Sequence, residues 1–174
     1  MNQLLTNLVG LCDAMGDCLT RKQQLPALIL IYAGIDIVAS VEARANEGTR
    51  QSFTRWVDSY LLSSQILRCT SLDLFAARCA MVHTLSAESD LSRCGKARAI
   101  FYAWGNREAE ELNDALAHAG KSDQAVGVHI GQLREAFLVG VDKWARDVRQ
   151  DSERLKQVEA QGRKWFVNIN PNVH

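Results

Sequence analysis

The sequence predicts a mainly α-helical protein, an antiparallel up-and-down helical bundle with a short two-stranded β element around residues 97–104 and 125–130. Apolar residues recur at three- and four-residue steps over most of the chain, which places them on one face of successive helices. Only two prolines and a hydrophobic share of 47% argue against a disordered or fibrous chain. A length of 174 residues fits one domain. We therefore expect a single helical domain over 1–174, in which 149–174 form a charged helical extension and a C-terminal tail.

Apolar periodicity predicts the first three helices, and an interruption of that periodicity separates the second helix from the third. A first helix is predicted from Leu4 to Leu19. A second begins at Pro26, since proline is tolerated in the first helical turn, and runs to about Ala45. Residues 46–48 interrupt the pattern, and the apolar face of the third helix, around Trp56, is strongly aromatic.

The second half of the chain is predicted to contain helices around the β element. Ser71 is the expected N-cap of a fourth helix, and 86–96 read as a surface loop. Between the two strands, Asn106 is expected to cap a short helix. One long helix then keeps a single apolar face from Leu133 to Val158, and its charged second half, 146–164, is expected to be a solvated extension whose apolar residues await a partner chain.

Charge and cysteine usage limit the class of protein. Twenty basic and twenty acidic residues cancel, so no overall field draws the chain to nucleic acid or to a membrane. The five cysteines show no metal-binding spacing and fit a reducing cytoplasm, and no signal peptide is predicted. Residues 26–41 are shorter than the about 20 that a bilayer requires and include Asp36, so a buried core helix is expected. His118 and His129 have no second ligand nearby, and no cofactor or metal is predicted.

Two ionisable residues stand among apolar neighbours of the fourth helix. Arg78 and His83 are separated by five positions. On a regular helix they point about 140° apart and differ by roughly 7 Å along the axis. They can meet through the reach of the arginine, through a kink, or across a two-fold axis between two copies.

The stretch Arg78-Cys79-Ala80-Met81-Val82-His83, late in a helix of a small helical domain, resembles the Arg-x4-6-His motif of the HEPN superfamily. The resemblance covers the bundle loosely and the motif closely. Many HEPN domains are metal-independent ribonucleases of toxin–antitoxin and phage-defence systems that act as dimers with a composite cleft. Others have lost activity and serve as interaction modules. The resemblance implies that Arg78 and His83 carry RNA cleavage, with an antitoxin or another protein as partner.

Alternatives accompany this interpretation. Arg78 is instead expected to form a buried ion pair with a carboxylate such as Asp36 if the motif is structural, with His83 capping a helix end. Asp36 and Cys79 are supporting candidates for the site, although a solvated position is expected for Asp36. The aromatic surplus and the divergent pair predict a homodimer. The sequence thus favours an endoribonuclease, with a catalytically inactive interaction module as the alternative.

Overall fold

The structure is a computed structural model that describes residues 2–64, 66–84 and 89–165. Its described part is mainly helical with one small two-stranded sheet, which confirms the mainly α-helical class and the predicted β element. The antiparallel up-and-down arrangement of the helices stays a prediction. The elements in chain order are α1 (Asn2–Thr20), α2 (Gln24–Val41), α3 (Thr49–Trp56), α4 (Ser71–Thr84), α5 (Asp90–Arg93), β1 (Ala99–Ala103), α6 (Ala109–His118), β2 (Ala125–His129), α7 (Ile130–Gln150) and α8 (Ser152–Trp165). Helix α3 continues through a π-helical turn, Val57–Leu61, and a 3₁₀ turn, Leu62–Ser64.

Helix α2 lies at the centre of the core. It packs against α1, α3, α4, α7 and α8, so its apolar residues meet neighbours on several sides. Among the described helices, α2 is long and apolar enough to qualify as a membrane span by length and composition, yet half of it is buried inside the protein. A core helix passes the same test, and this burial agrees with the core helix that the sequence predicts.

The aromatic face of α3 belongs to the core. Trp56 is fully buried, and its ring centroid lies 5.7 Å from that of Tyr60 and 6.0 Å from that of Phe137 on α7. These distances are typical of packed aromatic pairs. Trp144 is also fully buried. The two tryptophans are therefore core anchors.

The two strands pair in parallel, from Ala99 opposite Ala125 to Ala103 opposite His129. Parallel pairing requires a crossover of a dozen or more residues, and the segment 104–124 supplies one that contains α6. The expected cap at Asn106 is wrong, because α6 begins after Glu108 and has no side-chain cap. The carboxyl ends of both strands consequently lie at one edge of the sheet.

Helix α6 lies unusually close to β2 at Gly127. The backbone N–H of Gly127 donates to Asn113 Oδ1 at 2.8 Å, and Asn113 Nδ2 donates to the Gly127 carbonyl at 3.3 Å. A Cβ at position 127 would lie 2.7 Å from Leu112 Cβ and 2.8 Å from the carbonyl oxygen of Ala109. Neither atom can rotate away, so only glycine fits this contact.

We expect Gly127→Ala to lower the free energy of unfolding by about 2 kcal/mol, because the methyl group must push α6 away from β2. Urea denaturation followed by circular dichroism measures the change. The matched control is Gly10→Ala in α1, where a Cβ meets nothing within 4 Å. That substitution should stabilise the protein by roughly 0.5–1 kcal/mol through helix propensity. Equal effects of the two substitutions would contradict the close packing of α6 on β2.

The C-terminal helical region folds back onto the core. The predicted single long helix is broken at Asp151, whose Oδ1 accepts the backbone N–H groups of Glu153 and Arg154, both at 3.1 Å, and so caps α8. Val158 is fully buried, and Arg154 forms an ion pair with Glu42 at the end of α2. The expectation that the apolar residues of 146–164 await a partner chain is therefore wrong for Val158, while most of the polar residues of α8 are exposed as expected. The cap at Asp151 interrupts the long helix, and the ion pair of Arg154 with Glu42 holds α8 against the core.

Smaller differences concern helix ends. Helix α2 ends at Val41 instead of about Ala45. The N-cap of α4 is Thr70 and not Ser71: Thr70 Oγ1 accepts the N–H of Asp73 at 3.1 Å, and Asp73 Oδ2 accepts the N–H of Thr70 at 2.9 Å. This reciprocal pair is a capping box. The predicted loop 86–96 contains the single turn of α5, while 86–88 lie outside the described residues.

Candidate functional site

The arginine of the motif is held by a carboxylate from another helix. Arg78, on α4, donates from Nε to Oδ2 of Asp36, on α2, at 2.7 Å. The side chains are 18% and 24% exposed, respectively. The pair is thus neither solvated nor enclosed in the core. The expected solvated position of Asp36 is wrong, because the packing of α4 against α2 brings an arginine to it.

Arg78 and Asp36 lie in the wall of an open groove of about 520 Å³. The other walls come from α2, from the loop that follows it and from the start of α3. Polar groups along these walls belong to Ser40, Glu47, Thr49 and Ser52. Since ligand sites commonly have volumes of roughly 300–1,000 Å³, the groove is large enough for part of a polymer or for a small molecule.

Two arginine–carboxylate pairs set the electrostatics of this groove. Burial alone would lower the pKa of the Arg78 guanidinium, but the hydrogen bond and the charge of Asp36 raise it overall. Glu47 accepts from Arg55 through both carboxylate oxygens, each at 2.8 Å. This bidentate bond, with a contribution from the backbone N–H of Arg44, lowers the pKa of Glu47 to about 2. Glu47 is therefore ionised at neutral pH, and each of the two carboxylates faces a permanent cation.

The other two predicted site residues lie further along α4. His83 is in the last turn of the helix, and its side chain lies outside the described residues. Cys79 is partly buried and lines a second groove of about 540 Å³ on the neighbouring surface. Thr49, at the start of α3, borders both grooves. The structure thus brings both Asp36 and Cys79 to Arg78, since the Cys79 side chain hydrogen-bonds to the guanidinium and also lines the second groove.

The sequence analysis missed the residues that form the remaining walls of the groove. Ser40 lies one helical turn after Asp36 on α2, and that spacing is a usable signal for one wall. Glu47 and Thr49 come from a break and a helix start, where polar residues are common for local reasons. Only the packing of α3 beside α4 makes them part of a site.

Helix α4 is fixed at its first turn by a second ion pair. Asp73 is 4% exposed and accepts Arg98 Nη2 at 2.8 Å and Nε at 3.1 Å. It also accepts the backbone N–H of Arg98 at 2.7 Å and that of Thr70 at 2.9 Å. Arg98 directly precedes β1. This network ties the start of α4 to the sheet and thereby sets the position of Arg78 two turns later.

Comparisons of the chain with protein-family models, with curated proteins and with solved structures found no match. Within the described residues, no group of three or more His, Cys, Asp or Glu side chains is placed to hold a metal ion. The function of the protein must therefore be inferred from the chemistry of the Arg78 groove and from the motif.

Proposed function

We propose that this protein is a metal-independent endoribonuclease of the HEPN type, acting in the cytoplasm as a homodimer in a toxin–antitoxin or phage-defence system. The observation that carries the proposal is the position of Arg78. The arginine of the motif borders an open groove, and Asp36 orients it. A cation that binds a phosphodiester needs both access and a fixed position. The helical fold and the place of His83 in the last turn of α4 are consistent with the same class.

The chemistry uses a base and a fixed cation. His83 removes the proton of a ribose 2′-hydroxyl, and the oxygen attacks the adjacent phosphorus while the bond to the 5′-oxygen breaks. The departing 5′-oxygen takes up a proton, which leaves a 2′,3′-cyclic phosphate and a 5′-hydroxyl. Arg78 stabilises the additional negative charge on the non-bridging oxygens. Asp36 acts as a positioning residue that holds the guanidinium at the groove.

Incubation of single-stranded RNA with the purified protein in EDTA should give fragments that end in a 2′,3′-cyclic phosphate. Attack by the 2′-hydroxyl creates this end. The chelator should have no effect, because His83 and Arg78 supply the base and the cation. Mass spectrometry of the fragments identifies the termini, and DNA of the same sequence is the control. Cleavage of that DNA, or arrest of RNA cleavage by the chelator, would contradict the mechanism.

A second candidate is an interaction module of the same fold without activity, which binds a protein partner. The partly buried Arg78–Asp36 pair favours it, because a structural ion pair between α2 and α4 has the same geometry. The two candidates differ in what the pair does for the protein. A module loses stability when one partner is removed and has no RNA cleavage to lose.

A further inference from the structure

A second cavity, separate from the Arg78 groove, lies at the carboxyl ends of the two parallel strands. Its volume is about 580 Å³, and it shares no lining residue with the Arg78 groove. The turn between α1 and α2, the segment after β1 and the start of α7 form its walls. In open α/β sheets, ligands bind in the crevice beyond the carboxyl ends of the parallel strands, and this cavity has the same position relative to β1 and β2.

One wall of this cavity presents a large aromatic surface. Trp104 follows β1 directly and is 52% exposed, although tryptophan is the largest apolar side chain. Leu19 and Ile130 extend the apolar wall. An exposed indole beside aliphatic groups offers a planar face on which a ring can stack.

A second feature of the cavity is that its lining favours a negatively charged ligand. Lys22 lines it, and in the described part of the chain its ammonium has no ion-pair partner. No aspartate or glutamate occurs among the described residues that line this cavity. The first turn of α7 adds the positive end of its dipole at the same edge. A lysine in a cavity whose described lining holds no carboxylate favours an anionic group on the ligand.

The backbone holds Lys22 in an unusual conformation. Its φ is +57°, in the left-handed region that glycine adopts without strain. The N–H of Lys22 donates to the Leu19 carbonyl at 3.0 Å and the next N–H donates to the Cys18 carbonyl at 2.8 Å, which closes α1. This left-handed residue is a helix C-cap, and it fixes the backbone of Lys22 at the wall of the cavity.

His129 makes the far wall rigid. The N–H of Gly131 donates to His129 Nδ1 at 3.1 Å, so the ring proton lies on Nε2, which donates to the Gly105 carbonyl at 3.3 Å. The imidazole thereby links the end of β2 to the turn after β1. Asn106, in the same turn, adds a neutral amide to the lining.

We propose that this cavity binds a small aromatic anion, that is, a planar ring that carries one carboxylate or phosphate group. The ring stacks on Trp104 and the anionic group contacts Lys22. This site is independent of RNA cleavage, since it shares no residue with Arg78, Asp36 or His83. The source of the anion is either an aromatic carboxylic acid or a nucleoside monophosphate, and titration distinguishes them.

Calorimetric titration of the whole chain with indole-3-acetate and with AMP tests the proposal. At least one of them should bind, and its neutral counterpart, indole-3-acetamide or adenosine, should bind about tenfold more weakly because it lacks the charge that Lys22 meets. Acetate alone should bind no better than the neutral compounds. Absence of binding by both anions up to millimolar concentration, or equal binding of the neutral counterparts, overturns the proposal.

Variants locate the site. Trp104→Leu and Lys22→Gln should each weaken the binding anion about tenfold or more. The matched controls are Phe101→Leu, an exposed aromatic residue on β1, and Lys96→Gln, an exposed lysine, neither of which lines the cavity. Unchanged melting temperatures of the four variants separate lost binding from lost folding. Equal losses in the control variants, or none in Trp104→Leu, would overturn the assignment to this cavity.

Discussion

Arg78→Ala and His83→Ala should each lower the rate of RNA cleavage by about 10²–10⁴-fold. The loss of Arg78 removes the donors that stabilise the pentacoordinate phosphorus, and the loss of His83 removes the base. Arg78→Lys should recover only part of the rate, because an ammonium is a single point charge without the planar fork of donors. Initial rates of cleavage of a labelled RNA measure all three. The matched control is Arg107→Ala, an exposed arginine whose pair with Glu111 is solvated.

A double substitution separates the chemical role of Arg78 from a structural one. Replacement of both partners, in Asp36→Leu with Arg78→Met, removes the ion pair without leaving an unpaired charge, so the melting temperature should stay close to that of the parent chain. If Arg78 acts in catalysis, the double variant should lose RNA cleavage while it stays folded. A folded double variant that still cleaves RNA would exclude Arg78 from the reaction.

Mixed dimers test whether the site is composite. If Arg78 of one copy acts with His83 of the other, an equimolar mixture of the Arg78→Ala and His83→Ala proteins contains dimers with one intact site. About half of the dimers are mixed and each has one of two sites, so about a quarter of the parent activity should return. If each copy supplies both groups, the mixture stays inactive and the composite arrangement is wrong.

Asp73→Asn should lower the free energy of unfolding by about 3 kcal/mol, which corresponds to a fall of about 6–12 °C in Tm for a chain of this size. The carboxylate of Asp73 accepts four N–H donors and is almost fully buried. An asparagine in its place turns an amide donor toward Thr70 and Arg98. Differential scanning calorimetry measures the change, and Asp123→Asn, at an exposed turn before β2, is the matched control.

The effect of Asp73 on stability should depend on pH in a definite direction. Burial would raise the pKa of Asp73, but the N–H groups of Thr70 and Arg98 and the Arg98 guanidinium together lower it below the ordinary 3.8. The unfolded chain therefore binds this proton more tightly than the folded protein. The stabilisation is fully present above the unfolded pKa and is lost as the pH falls through the lower folded pKa. The difference in stability between the parent chain and Asp73→Asn should narrow as the pH falls below about 4, and a constant difference would contradict this linkage.

The amino-acid sequence alone determined the local features of this protein. The apolar faces of α1, α2 and α7, the break before α3 and the two short strands follow from periodicity and turn residues, which act over a few neighbouring positions. The charged residues among apolar neighbours of α4 were visible for the same reason. The sequence did not specify the helix ends at Thr70 and Asp151, since each of these caps depends on a few hydrogen bonds from one side chain.

Only the tertiary structure decided which distant groups meet. Asp36 reaches Arg78 over 42 positions, and Asp73 reaches Arg98 over 25, because α2 and β1 both pack against α4. The inward turn of α8 depends on the carboxylate of Glu42 at the end of α2. The cavity between Lys22 and Trp104 exists because the parallel strands end at one edge beside the turn that follows α1. Such contacts depend on the shape and charge of whole surfaces, which no short sequence pattern specifies.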